Sequence, residues 1–218
     1  MLFRSEIIKV QLARAIWLFD TQELNPLGIN LFPDVFGAFS KKYEFAILPK
    51  PEEFLSGAST CFKQGRFFYT PQNVWVDIEF ELHGDGIVAN SRHSTEVSDA
   101  FLQDVLNWLG EQLGATYSAS LSKKRIYRDE LIVKMNLELG KAGSRFSKLS
   151  EILTSMTNKP TGIIGLTFGS EGSNNLSLVV ERRANTPFEE NRYFSVSGLQ
   201  TAKHIEALVS FEQIMSDG

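Results

Sequence analysis

A chain of 218 residues with 43% hydrophobic and 22% charged residues has ordinary globular composition, and its length lets it bury a core without disulfide or metal staples. A formal net charge of −4 argues against non-specific attraction to nucleic acid or to an anionic membrane, and no apolar run approaches the ~20 residues of a membrane span. The one cysteine, Cys61, excludes an internal disulfide; with no secretory leader read at the N-terminus, a reducing, cytoplasmic compartment is expected.

Residues 1–19 fit a strand face (Ile8, Val10, Leu12) and a helix face (Ile8, Leu12, Ala15, Phe19). The β-branched and aromatic residues favour a long strand. Asn25-Pro26-Leu27-Gly28 is a turn signal, and Phe32-Pro33-Asp34 opens a short helix with Val35, Phe36, Phe39 and Tyr43 on its apolar side. Residues 43–48 read as a short buried strand stopped by Pro49 and Pro51. Residues 60–69 read as a strand with a turn near Gln64-Gly65, broken by Thr70-Pro71-Gln72-Asn73.

In 74–114 every local signal agrees. Val74, Val76, Ile78, Phe80 and Leu82 share one strand face, and Trp75, Asp77, Glu79 and Glu81 the other. Gly84-Asp85-Gly86 can supply the positive φ angles of a tight hairpin, with 86–90 as the return strand. Ser94 or Thr95 caps a helix that carries Glu96 and Asp99 in its first turn and Val97, Phe101, Leu102, Val105, Leu106 and Leu113 on its apolar face. Gly114 stands where a left-handed C-cap is common.

Residues 123–139 read as the longest strand, with Leu131, Val133, Met135, Leu137 and Leu139 facing one way and Ile132 the other. An amphipathic helix follows over 145–157, with Phe146, Leu149, Ile152, Leu153 and Met156 on one side. Segments 162–168 and 176–183 pair around a Gly/Ser/Asn-rich turn, 193–196 is a short edge strand, and a closing helix starts near Leu199. The pattern predicts a single α+β domain over 1–218: a mostly antiparallel sheet with helices packed mainly on one face, in two layers. A weak strand-strand-helix echo joins 74–113 and 162–215, although residue identities barely match.

Chemistry is sparse. Alternate carboxylates Asp77, Glu79 and Glu81 stand ~6.5–7 Å apart with parallel vectors, so they do not converge on a cation. His83, His93 and His204 lack zinc-ligand spacing, and no metal site is expected. Gly162, Gly165, Gly169 and Gly172 are turn glycines without a dinucleotide fingerprint, so no cofactor is expected. Gly140–Arg145 sits at a strand-to-helix turn where Lys141 and Arg145 could help amides hold an anion, but Ser144 as a cap explains much of it. His93, between Arg92 and Ser94 at a helix start, is the one histidine with a functional reading. No nucleophile elbow accompanies it, so no catalytic residue is assigned and a non-enzyme is favoured. Lys123–Arg128 reads as a charged strand entrance. Residues 181–195 mix arginines, glutamates and aromatics, and read as a loop tied by ion pairs.

The expectation is a non-catalytic protein-interaction or assembly module that binds a protein partner or another copy of itself, with neither membrane nor nucleic acid as a partner. Trp75, Ile132 and Phe188 are its interface candidates. The alternative is a small enzyme or binder of a phosphate- or carboxylate-bearing ligand, held by Arg92, His93, Lys141, Arg145, Arg183, Arg192 and Tyr193.

Overall fold

The computed structural model describes residues 6–24, 32–50, 59–113, 124–137, 139, 144–170, 176–187 and 190–216. The chain divides into two compact units, Leu12–Arg128 and a second made of Met1–Gln11 with Asp129–Gly218. Eight strands in antiparallel ladders and four α-helices among the described residues make the fold α+β.

The first unit takes the C-terminal part of β1 (Glu6–Leu18), then α1 (Phe32–Lys42), β2 (Thr60–Tyr69), β3 (Val74–His83), β4 (Gly86–Ser91) and α2 (Thr95–Leu113). Its strands lie in the order β2-β3-β4-β1. Alternation settles β1 as a strand: Ala13, Ala15 and Trp17 are buried while Arg14, Ile16 and Leu18 between them are not. Val76, Ile78 and Phe80 of β3 point to the same core, and α2 adds Phe101, Leu102, Val105 and Leu106. Phe39 of α1 is the hub of an aromatic cluster, with ring centroids 5.0 Å from Tyr43, 5.4 Å from Phe45, 5.0 Å from Phe62 and 5.2 Å from Phe80. Rings that meet edge-on or tilted gain attraction beyond the burial of their area.

Three local expectations change here. Residues 43–48 are not a strand: Glu44 turns the chain at φ 52, the Phe45 N–H closes back on the Ser40 carbonyl at 3.0 Å, and only Ile47 bridges to Lys63. Residues 60–69 run as one strand, and the turn expected near Gln64-Gly65 is instead a β-bulge with Gln64 at φ 56. A Cβ on Gly65 would fall 2.4 Å from the Phe45 ring, so packing explains that glycine. In the β3–β4 hairpin neither Gly84 nor Gly86 adopts the left-handed conformation. Gly86 is required because a Cβ there would lie 2.3 Å from the Trp17 carbonyl oxygen, while a Cβ on Gly84 would meet open space.

The second unit runs β5 (Lys124–Lys134, its first residues belonging to the other unit), α3 (Ser144–Thr157), β6 (Gly165–Gly169), β7 (Leu176–Arg182), β8 (Arg192–Ser197) and α4 (Thr201–Ser216), with strand order β5-β8-β7-β6. Its core holds Leu131, Val133, Val180, Tyr193, Leu208 and Phe211. β5 stops at Lys134, short of the expected 139, and β1 is the longer strand. Residues beyond it are tied by side chains instead: the Tyr193 hydroxyl donates to the Leu137 carbonyl at 2.5 Å, and Glu212 accepts the Asn136 N–H. β8 is not an edge strand, because it pairs with β5 on one side and β7 on the other. Ile132, expected on an outer face, is 3% exposed. α3 forms where its periodicity puts it, but Phe146, Leu149, Ile152, Leu153 and Met156 all remain exposed.

Both units therefore share one succession, strand, helix, three strands, helix, with the same strand order. Their registers also match: Ala13 pairs with Ser91 and Ala15 with Ala89, as Asp129 pairs with Ser197 and Leu131 with Ser195. The turn at 25–28, most of 49–58, Gly114 and the strand-to-helix turn at 140–143 lie outside the described residues.

Two outcomes follow from this packing. Gly86→Ala destabilises by about 1–3 kcal/mol, since the obstructing atom is backbone, while Gly84→Ala stays within about 0.5 kcal/mol, both read by chemical denaturation. Tyr43 is buried, and burial first, then the Asp104 carboxylate that accepts its hydroxyl at 2.7 Å, hold it far above the ordinary tyrosine value of 10.0. A raised folded-state value means the unfolded chain releases this proton first. The stabilisation is whole below pH 10 and declines as pH rises above it, and Tyr43→Phe makes that alkaline decline in denaturation midpoint less steep.

Candidate functional site

The outward face of the first unit carries a patterned, accessible row along β2 and β3. Cross-strand partners point the same way, so the pairing of Phe68 with Trp75 and of Arg66 with Asp77 places all four on this face, followed along β3 by Glu79 and Glu81. Trp75 is 57% exposed and Phe68 37%, with ring centroids 5.3 Å apart. The Arg66 guanidinium lies over the Trp75 ring at 5.2 Å and 3.7 Å from Glu44. Further across, Arg14 donates from Nε to Asn90 Oδ1 at 2.7 Å, and Asn90 Nδ2 donates to Glu81 at 3.0 Å. His83 Nε2 lies 3.2 Å from the second Glu81 oxygen. Glu81 is thus held by neighbours, whereas Asp77 and Glu79 stand exposed.

The opposite face is sealed by α2. Trp17 Nε1 donates to Asp99 at 2.7 Å, the Tyr127 hydroxyl donates to the same oxygen at 3.1 Å, and Arg125 lies 3.4 Å from Asp99 and 3.9 Å over the Trp17 ring. Burial, then Asp99, pushes Tyr127 upward, so it stays a neutral donor. The basic cluster at the start of β5 therefore spends Arg125 on an internal contact.

The second unit holds a cluster that the sequence reading missed. Ser195 Oγ is 2.8 Å from His204 Nε2, His204 Nδ1 is 2.7 Å from Asp129 Oδ2, and Thr201 donates to Asp129 Oδ1 at 2.9 Å. Ser195, His204 and Asp129 are each 0% exposed. The available signal was polarity in apolar slots: Asp129 shares the inward row of Leu131 and Val133, Ser195 that of Tyr193, and His204 precedes Leu208 by one helical turn. No group of three or more His, Cys, Asp or Glu among the described residues could hold a metal ion.

The sequence candidates are dispersed. Arg92, exposed, and His93, half-buried, sit at the β4–α2 junction of the first unit. His93 Nδ1 has no partner among the described residues, and Ser94 caps α2 by accepting the Val97 N–H at 3.3 Å. Arg183, Arg192 and Tyr193 belong to the second unit. There the Arg183 N–H meets the Arg192 carbonyl at 3.0 Å, Arg192 pairs with Glu190 at 3.1 Å, and Tyr193 is a core residue. Arg145 lies in the first turn of α3; Lys141 and Phe188 are outside the described residues.

No family model and no curated protein matches the chain. Among solved structures it is similar to Methanococcus jannaschii TBP, a DNA-binding protein, at 10% identity over 99% of each chain with a TM-score of 0.39. That finding runs against two expectations from the sequence, a protein-interaction or assembly module with an anion binder as its alternative, and partners that exclude nucleic acid; both are corrected and neither is kept. At that score the likeness itself assigns nothing to this chain. Among the described residues no helix is long and apolar enough to cross a membrane.

The two faces of the first unit respond differently to substitution. Trp75→Ala costs about 0.5–1 kcal/mol, the worth of a cross-strand aromatic pair. Asp99→Ala costs about 2–3 kcal/mol, because the Trp17 and Tyr127 donors lose their acceptor, and thermal denaturation of both variants checks the contrast.

Proposed function

We propose that the protein is a non-catalytic binding protein for a small amine-bearing ligand, taken on the outward face of the first unit along β3. One observation carries the reading: Trp75, Asp77 and Glu79 stand exposed in a row on one strand face. Alternate residues on a strand are ~6.5–7 Å apart, a spacing comparable to that between the amines of a linear polyamine. An ammonium group over the free side of an indole ring gains cation–π attraction, and its neighbours pair with the two carboxylates. Arg66 and Glu44 support the indole from the other strand. We take the working chain to be one domain built from two copies of the same unit, acting in a reducing cytoplasm where Cys61 stays a thiol.

Exposed ion pairs are individually weak and screened by salt, so binding is expected to be modest and to fall as ionic strength rises. Titrating the full chain with spermidine should change its tryptophan fluorescence saturably, since Trp75 is the exposed tryptophan. Asp77→Asn with Glu79→Gln should weaken this binding about tenfold. An unchanged spectrum, or saturation by a single-stranded oligonucleotide in preference to spermidine, overturns the reading.

A further inference from the structure

Ser195, His204 and Asp129 have the spacing of a nucleophile, a base and its orienting acid, but the proton count runs the other way. Ser195 Oγ also lies 2.7 Å from the Val179 carbonyl oxygen, which can only accept. A hydroxyl has one proton to give. With that proton on Val179, the 2.8 Å contact to His204 is a hydrogen bond only if Nε2 is the donor. On the far side of the ring, one proton lies in the 2.7 Å bond between Nδ1 and Asp129. The conclusion about Nε2 holds whichever end of that bond the proton rests on.

We infer that the cluster is an inverted triad: His204 Nε2 donates to Ser195 rather than accepting from it, and the three residues lock α4 onto β5 and β8. A general base needs a bare Nε2 facing the nucleophile, and a nucleophile needs an approach path. Here Nε2 is protonated and all three side chains are 0% exposed. Every remaining polar position is occupied, because Thr201 caps the free Asp129 oxygen at 2.9 Å. Such a buried network is stable only when complete.

The first unit shows what stands in its place. By register Ala13 corresponds to Asp129 and Ala89 to Ser195. α2 and α4 both begin four residues beyond their preceding strands, so Ser98 corresponds to His204. There Ser98 takes the place of the histidine, its hydroxyl 2.7 Å from the Ala13 carbonyl and 3.1 Å from the Ser91 hydroxyl. At equivalent positions one architecture thus carries a short serine contact in one unit and an aspartate–histidine–serine relay in the other. The proposal is independent of the ligand face, since every member of the cluster belongs to the second unit.

The test uses the full-length chain labelled with ¹⁵N-histidine. His204 is expected to show a proton on Nε2 that exchanges slowly with solvent, unlike the ring of the partly exposed His83. A bare Nε2 in His204 overturns the assignment. Ser195→Ala removes the acceptor of a buried N–H, so its Tm should fall by several degrees; an equal or higher Tm, as for a dispensable nucleophile, counts against the lock. A fluorophosphonate probe should leave Ser195 unmodified in the native protein, and an adduct at Ser195 overturns the proposal even if the alanine variant fails to fold.

Discussion

The close passage of β4 across β1 is the constraint on which the first unit depends. Gly86 meets the Trp17 carbonyl with no room for a side chain, and Trp17 in turn reaches Asp99 on α2. Strand pairing, the burial of a large indole and the docking of the helix are therefore one event. The Trp17 ring also accepts the Arg125 guanidinium on its face, so the start of β5 is held by the same side chain. Removing apolar area from water provides most of the driving force here, and the Asp99 carboxylate provides the geometry by accepting from Trp17, Tyr127 and Arg125.

The two units solve the same problem with different chemistry. Each must fix a C-terminal helix over the inward face of four strands. The first does so with a dense set of rings around Phe39, the Trp17–Asp99 bond and the contacts of Ser98 with Ala13 and Ser91. The second has fewer aromatics in its core, and places an aspartate, a histidine and a serine where the first has alanine, serine and alanine. A buried polar network of this kind contributes direction more than energy: an apolar replacement fills the space, but it does not specify which turn of the helix faces which strand.

On the outward face, charge is apportioned unevenly. Glu81 is saturated by Asn90, Arg14 and His83, whereas Asp77 and Glu79 on the same row meet solvent. One of the three carboxylates in the row is thus structural and two are free. The exposed pair Phe68 and Trp75 lies at the free end, and that combination of an aromatic surface with unpaired acceptors supports the amine reading.

Several features were determined by the sequence alone. Strict alternation in 74–82, the helix at 95–113 capped by Ser94 and the helix at 145–157 are local patterns, each legible because its period is written within a single stretch. The α+β class follows from them. Only the tertiary structure decided the rest, because it depends on partners distant in sequence. Whether Ile132 faces water, whether 193–196 lies at an edge, and whether a glycine serves a turn or a close contact are set by the strand or ring alongside, which no local window contains. The Ser195–His204–Asp129 cluster is the extreme case. Asp129 and His204 are 75 residues apart, and each member alone resembles an ordinary polar intrusion into an apolar row until the register of β5 with β8 and the packing of α4 on them bring the three within hydrogen-bonding distance.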